Sequence, residues 1–87
     1  GNTLDVYPNP AQNEINYTFT NEEAGDVRAE ILDMSGRRVL PALQAYYNAG
    51  SFTVKVNVSP LASGHYFLSL YGKSKRPKVK HFVVVKH

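Results

Sequence analysis

Glu14-Ile15-Asn16-Tyr17-Thr18-Phe19-Thr20 is the stretch of sequence that decides the fold. Ile15, Tyr17 and Phe19 occur at every second position, with polar residues between them. Successive residues of an extended strand point to opposite faces, so this period of two gathers the apolar side chains on one face. The stretch therefore predicts a β-strand with one buried face and one face in water.

The same period recurs elsewhere in the chain. Residues 27–31 and 51–58 alternate apolar and polar side chains, whereas residues 66–71 and 79–85 carry apolar side chains on both faces. The second kind is typical of a strand at the centre of a sheet or of one that contacts a partner. A shorter strand is predicted at residues 4–7.

Turn signals separate these strands. Asp33-Met34-Ser35-Gly36 has Asp at the first turn position and Gly at the last, which predicts a hairpin whose second strand is residues 37–40. Residues 59–64 predict a wide loop or one helical turn, with Leu61 packed inward and Gly64 in a left-handed conformation. Together the pattern predicts an all-β fold, an antiparallel β-sandwich of about seven short strands of the immunoglobulin or fibronectin III kind.

Length and composition are those of one small domain. The chain has 87 residues, 43% of them hydrophobic, and no cysteine. No apolar run approaches the roughly 20 residues of a membrane helix. We expect a single domain over residues 1–87, with its core at about residues 4–86. We also expect it to be a piece of a longer protein whose activity lies upstream, with Gly1 a remnant of cloning.

Charge is distributed unevenly along the chain. All seven Asp and Glu residues lie within the first 33 residues, and nine of the ten Lys and Arg residues lie from Arg37 onward, giving a net charge of +3. Such polarity indicates either an interaction surface or attraction between two parts of one fold. The sequence leaves both interpretations open.

Catalytic equipment is not recognisable in the sequence. No Gly-rich loop precedes a helix, and no serine lies in a nucleophile elbow. We expect no enzyme activity, no cofactor and no metal site. His65 and His81 would meet if their strands paired, but we interpret the histidines as structural.

The aromatic residues suggest two binding functions. The basic residues 73–80 lie between Tyr71 and Phe82, an association also found in single-strand nucleic-acid sites. Alternation assigns at least one of these rings to the core, so we expect no nucleic-acid partner. Tyr46-Tyr47 predict exposed rings that can stack on sugars, which leaves a carbohydrate-binding module open as an alternative.

Four motifs occur in order along the chain. They are Val6-Tyr7-Pro8-Asn9-Pro10-Ala11, Asp33-Met34-Ser35-Gly36-Arg37-Arg38-Val39, Leu61-Ala62-Ser63-Gly64-His65-Tyr66-Phe67-Leu68 and Lys80-His81-Phe82-Val83-Val84-Val85-Lys86. Together they resemble the C-terminal sorting domain of the type IX (Por) secretion system, type A, from about Leu4 to Lys86. The chain departs mildly from the family pattern, since Tyr46-Tyr47-Asn48 follows a stretch that is longer and less regular than usual.

The resemblance implies a non-catalytic domain at the extreme C-terminus of an exported protein. The cargo, which is the upstream domain of the same chain, crosses the inner membrane by a signal peptide and passes through the periplasm. The sorting domain directs it through the outer-membrane translocon to the cell surface or the extracellular space. A sortase-like cysteine protease then removes the domain, and the cargo is attached to the surface or released.

The resemblance also assigns roles to residues. The structural positions of the family motifs are matched by Pro8, Asn9, Pro10, Gly36, Arg37, Gly64 and Tyr66. Residues Lys80 to Lys86 match the terminal strand associated with export, and with the neighbouring Lys78 they give the predicted recognition residues: Lys78, Lys80, Phe82, Val83, Val84, Val85 and Lys86.

The physical properties of the terminal strand also suggest how it could be recognised. Lysines at a strand rim discourage uncontrolled edge pairing. The backbone of a terminal strand nevertheless offers donors and acceptors to a receptor by strand addition. The same edge pairing would give a homodimer. An adhesion or spacer β-sandwich module, or a carbohydrate-binding module appended to an extracellular enzyme, is the alternative function.

Overall fold

Strands make up the regular secondary structure of the described residues. The computed structural model describes residues 3–73 and 76–87. In chain order the strands are β1 (Leu4–Tyr7), β2 (Glu14–Asn21), β3 (Gly25–Leu32), β4 (Leu43–Tyr47), β5 (Gly50–Asn57), β6 (Gly64–Tyr71) and β7 (Lys78–Val84). The predicted all-β class is confirmed. Over these residues no helix has the length and apolarity needed to cross a membrane.

The strands form two antiparallel sheets. One sheet has the order β1-β2-β5, and the other has the order β4-β3-β6-β7. The position of β6 between β3 and β7 explains why its sequence is apolar on both faces. The last strand, β7, is instead an edge strand, and it lies near β1 of the opposite sheet.

Alternation of apolar and polar side chains along each strand determines which face of each sheet is buried. In β2, Ile15, Tyr17 and Phe19 are at most 2% exposed, whereas the residues between them are partly exposed. Strand β3 alternates in the same way. The apolar faces of the two sheets pack against each other, as in a β-sandwich.

Buried apolar side chains form one cluster between the sheets in the described part of the chain. The largest fully buried ones are Phe19, Phe82, Ile15, Leu68, Val58 and Val84. Full burial of a side chain of this size contributes about 1.5–3 kcal/mol. The cluster contains residues from early and late strands, so both ends of the chain contribute to one core.

The predicted strand at residues 37–40 is wrong. After the turn, the described chain forms a single isolated bridge to β3, and the N–H of Val39 donates to Ile31 O at 3.0 Å. Pro41 has no N–H to donate, so the ladder does not continue along this segment. The strand that pairs with β3 on this side is β4, which begins at Leu43.

The left-handed conformation predicted for Gly64 is also wrong. Gly64 begins β6 and pairs with Val84. The described glycines with positive φ are Gly36, at 85°, and Gly50, at 141°. The inward packing of Leu61 is confirmed, since it is 6% exposed.

Candidate functional site

β7 is the candidate recognition strand, and its two faces differ. Phe82 and Val84 face the core and are 0% exposed. Val79, His81 and Val83 lie on the opposite face, where Val79 is 55% exposed. Phe82 and Val84 can therefore affect recognition in this fold only by holding the strand in place, whereas the outer face is open to contact.

The segment between β1 and β2 covers part of the free edge of β7. Ala11 N–H donates to Val83 O at 2.8 Å, and Val85 N–H donates to Ala11 O at 2.8 Å. Val83 N–H donates to Asn9 Oδ1 at 3.0 Å. We call residues 8–11 the corner. It pairs with the C-terminal end of β7 on the side opposite β6.

Two prolines explain why Asn9 contacts β7 through its side chain. Pro8 and Pro10 have no N–H, so they cannot extend the ladder of β1, which ends at Tyr7. The chain leaves the first sheet at this point, and Ala11 bridges to Val84 of the second. The predicted structural motif thus connects the two sheets.

The N-terminal half of β7 lies beyond the corner. Hydrogen-bonding direction alternates along a strand, and Val83 and Val85 direct theirs to the corner. By this alternation Val79 and His81 direct their backbone groups to the same side. No strand of the described residues pairs with β7 on that side. These two residues form the open edge of β7.

Lys86 lies just after β7 and is engaged within the fold. Its ammonium donates to Gln12 O, to Asn13 Oδ1 at 3.2 Å and to Ser59 O at 3.4 Å. Its backbone N–H donates to Ser63 Oγ at 2.8 Å. Lys86 therefore ties the chain end to the loops before β2 and before β6.

The other two lysines of the recognition set differ in exposure. Lys78 is half-buried, and its Nζ donates to Thr20 O of β2 at 3.3 Å. Lys80 is exposed. Lys75, part of the basic stretch noted in the sequence, lies outside the described residues. Lys80 is thus the cation of β7 itself that is most accessible to a partner.

Ion pairs within the fold join early acids to later bases. Three such pairs are Arg38–Glu30 at 3.7 Å, Lys73–Glu23 at 3.8 Å and Lys55–Glu14 at 3.9 Å. Exposed pairs of this kind typically contribute about 0–1 kcal/mol each. They support the interpretation of the charge polarity as attraction between parts of one fold.

The turn containing Gly36 and Arg37 is organised by Asp33. Gly36 N–H donates to Asp33 O at 3.0 Å, and the positive φ of Gly36 is one that other residues rarely adopt. Ser35 Oγ donates to Asp33 Oδ1 at 2.6 Å, and Arg37 N–H donates to the same oxygen at 3.1 Å. The Ser35 hydroxyl, followed by the Arg37 backbone, lowers the pKa of Asp33.

Gly64 and Tyr66 lie at the start of β6. The Tyr66 hydroxyl donates to Ala62 O at 2.7 Å, and its ring stacks on Phe82 with centroids 5.9 Å apart. A Cβ on Gly64 would stand 3.8 Å from the Tyr66 ring, an ordinary contact distance. Tyr66 therefore anchors the preceding loop to the core beside β7.

The two tyrosines predicted to be exposed, Tyr46 and Tyr47, differ in the structure. Tyr46 is 65% exposed, as predicted, but Tyr47 packs edge-on against Phe52 with centroids 4.9 Å apart. The prediction that at least one of Tyr71 and Phe82 belongs to the core is confirmed, since Phe82 is 0% exposed and Tyr71 is 38% exposed. The basic stretch therefore has one partly exposed ring beside it rather than two.

The predicted meeting of His65 and His81 is confirmed. The two side chains are exposed, and His65 Nδ1 lies 2.9 Å from His81 Nε2.

Two features of the site were not predicted from the sequence. One is the pairing of the corner with β7, and the other is the set of oxygens around the Lys86 ammonium. A signal for the first was present in Asn9, a polar residue between two prolines. The sequence contained no indication of which strand Asn9 would contact.

Comparison with known proteins gives a family. The family model described as "Secretion system C-terminal sorting domain" matches residues 5–86. The search of curated proteins gave no match. The matched span contains the corner, the Gly36 turn, the Tyr66 anchor and β7.

Proposed function

The chain belongs to the family of secretion system C-terminal sorting domains, and from this premise we propose that the translocon binds its last strand on the open edge and outer face. As a type IX sorting signal, the domain directs its cargo through the secretion system to the cell surface or the extracellular space. Sorting signal domains are in general not catalytic. Its partners are therefore the secretion machinery and the cargo chain.

The position of β7 at a sheet edge carries this proposal. Its pairing with β6 is complete, yet on the other side the corner pairs only with its C-terminal end. The open edge at Val79 and His81 leaves main-chain donors and acceptors for an incoming strand. Specificity would come from the side chains beside that edge.

Those side chains combine apolar surface with positive charge. Val79 is 55% exposed on the outer face, and Lys80 is exposed on the same strand. Charge at a strand edge limits pairing with arbitrary chains while attracting an acidic partner. Of the predicted recognition residues, Lys80 and Lys78 are thus proposed to guide docking. Val83 and Val85 are proposed to contribute apolar contact.

Later processing is part of the same proposal. The cargo would cross the periplasm in transit, and a sortase-like protease would cut the chain before the domain. The cargo would then be anchored at the surface or released. We propose that the single domain expected over residues 1–87 acts throughout as one folded unit.

A reporter fusion tests the sorting function. A neutral reporter carrying a signal peptide and followed by residues 1–87 should reach the surface or the medium only when the translocon is intact. Surface antibody labelling and periplasmic fractionation measure the outcome. Export that is equal in a translocon-deleted strain would contradict sorting by this domain.

Substitutions on β7 test the recognition surface. Val79→Pro removes an N–H that points away from β6 and should spare the β6–β7 ladder, whereas the matched Val79→Thr keeps it. We expect export to fall several-fold for Val79→Pro and for Lys80→Glu. Val79→Thr and Lys55→Glu, the same charge change on β5, should export normally.

The thermal unfolding of each variant separates recognition from folding. Reduced export with an unfolding temperature close to that of the parent protein supports recognition through β7. Wild-type export by both Val79→Pro and Lys80→Glu would refute it. Truncation of residues 83–87 is a poorer test, because it also removes the buried Val84 and the contacts of Lys86.

Homodimer formation through a sheet edge remains a separate hypothesis. The corner limits the available edge of β7 to Val79 and His81, the part proposed to bind the translocon, so a dimer through this edge would compete with recognition. A dimer would more readily use the edges at β1, β4 or β5. Analytical ultracentrifugation of the chain measures whether one forms.

A further inference from the structure

His65 and His81 bring two potential metal ligands together on neighbouring strands. They lie on the adjacent antiparallel strands β6 and β7, where His65 pairs with Val83 and His81 pairs with Phe67. Both are on the outer face of their sheet, and both are exposed. Because the strands are held by the ladder and the core, the two imidazoles are placed together by the fold.

The rings are aligned so that one nitrogen of each faces the other. His65 Nδ1 and His81 Nε2 are 2.9 Å apart, the ring planes differ by 16°, and the centroids are 5.1 Å apart. Such a contact needs a proton on one nitrogen and a lone pair on the other. When the ring that carries this proton holds it on its other nitrogen instead, both facing nitrogens present lone pairs and can bind one metal ion.

We propose that His65 and His81 form a cross-strand site for a divalent transition metal ion, with Cu²⁺ bound more tightly than Ni²⁺. Imidazole nitrogens bind such ions at about 2.0–2.1 Å, so two of them at a right angle on one ion are about 2.9 Å apart. The observed separation therefore suits neighbouring positions of a square-planar or tetragonal ion, the geometry of Cu²⁺ and Ni²⁺.

The surroundings of the pair determine how such an ion is held. No group of three or more His, Cys, Asp or Glu side chains suited to a metal occurs over residues 3–73 and 76–87, so the ion would keep open positions for water. Exposure lets both rings turn until their lone pairs converge. Phe67 packs beside His81, with ring centroids 5.4 Å apart, and limits that motion on one side.

Metal binding has a structural consequence for the last strand. An ion held by His65 and His81 would cross-link β6 to β7 through side chains, in addition to the backbone ladder. Since it binds the folded arrangement and not the separated strands, it should raise the unfolding temperature. Binding of the ion requires neither the sorting function nor the translocon.

Titration of the intact chain with CuCl₂ and with NiCl₂ tests the site, using calorimetry in a non-coordinating buffer. We expect one ion per chain. His65→Gln and His81→Gln should each weaken binding at least about tenfold, because the chelate becomes a single imidazole. His87→Gln is the matched control, and its affinity should stay within about twofold of wild type.

NMR locates the ion independently of affinity. Sub-stoichiometric Cu²⁺ should broaden the amide signals around His65, Phe67, His81 and Val83 first. Ni²⁺ should raise the unfolding temperature of the parent protein and not that of the double variant His65→Gln/His81→Gln. Equal affinity in the double variant, or broadening centred on His87 or the N-terminus, would overturn the proposal.

Discussion

Lys86 stabilises the fold, although the sequence alone suggests a lysine exposed to solvent. In the sequence it resembles a solubilising lysine at the end of an apolar strand. In the structure its ammonium lies among oxygens of two loops, including Asn13 Oδ1 and Ser59 O. An ammonium supplies three donors, and hydrogen bonds to a charged group contribute more than those between neutral groups.

Replacement of this ammonium should weaken the fold. Lys86→Met keeps much of the apolar stem and removes the donors, so we expect the free energy of unfolding to fall by about 1–2 kcal/mol. Urea denaturation followed by tyrosine fluorescence measures the change. Lys80→Met, made at an exposed lysine of β7, should be nearly neutral. A comparable loss in both variants would contradict the role assigned to Lys86.

Asp33 gives the fold a dependence on acid pH. Its pKa is lowered in the folded chain by the Ser35 hydroxyl and the Arg37 backbone, so the folded state binds this proton less readily than the unfolded state. The resulting stability is complete above the unfolded pKa of Asp33 and is lost as the pH falls through the folded value. The turn should therefore loosen on acidification.

Asp33→Asn removes this titration. The variant should be less stable than the parent protein at pH 6, and the gap should narrow as the pH falls toward 3. Chemical denaturation at a series of pH values measures both curves. Asp5→Asn is the control at an exposed acid of β1. Parallel curves for Asp33→Asn and the parent protein would show that Asp33 does not contribute to the acid dependence.

At the scale of elements, the corner and β7 depend on each other. Ala11 and Asn9 of the corner form hydrogen bonds with the edge of β7. These bonds hold the corner in place, since its prolines prevent it from pairing within the first sheet. This pairing leaves the open edge of β7 short. A receptor strand that needs a longer edge would have to displace the corner first.

Asn9→Ala tests the corner. The variant loses the acceptor for Val83 N–H, so we expect a loss of about 1 kcal/mol in unfolding free energy and faster hydrogen exchange at the Val83 amide. Asn9→Asp, which keeps side-chain oxygens at the same place, should retain most of the protection. The amide of Leu68, within the centre of β6, serves as an internal reference. Unchanged exchange at Val83 in Asn9→Ala would contradict the contact.

At the scale of the whole molecule, an early strand and the last strand share one core. Phe19 on β2 and Phe82 on β7 are each at most 1% exposed and lie in the same buried cluster. Because small domains with one core usually unfold cooperatively, damage in either sheet should affect both.

Phe19→Ala and Phe82→Ala test this coupling. Each should cost about 3–5 kcal/mol by removing a large buried side chain. Calorimetry should show one transition at a lower temperature in both variants, and fluorescence and circular dichroism should report the same midpoint. Val79→Ala, at an exposed position of β7, is the control. Two separate transitions in either variant would show that the sheets unfold independently.

Local patterns in the sequence determined the strands and the nature of the faces. The alternation around Tyr17 and the Asp33–Gly36 turn each depend on residues close in the chain, so their physical effect is local. The family motifs were also recognisable in the sequence, and the family match bears them out. The strand predicted at residues 37–40 does not form, because Pro41 has no N–H with which to continue the ladder beyond the bridge at Arg38.

Only the tertiary structure decided which segments meet. Three contacts show this: the corner lies against β7, oxygens surround the Lys86 ammonium, and His65 lies 2.9 Å from His81. In each of them the residues in contact are far apart in the sequence. Their contacts depend on strand order and register, which the packing of both sheets around Phe19 and Phe82 fixes together. The same side-chain alternation fits many strand orders. It therefore specifies which face of each strand is buried, but not which strands are neighbours in a sheet.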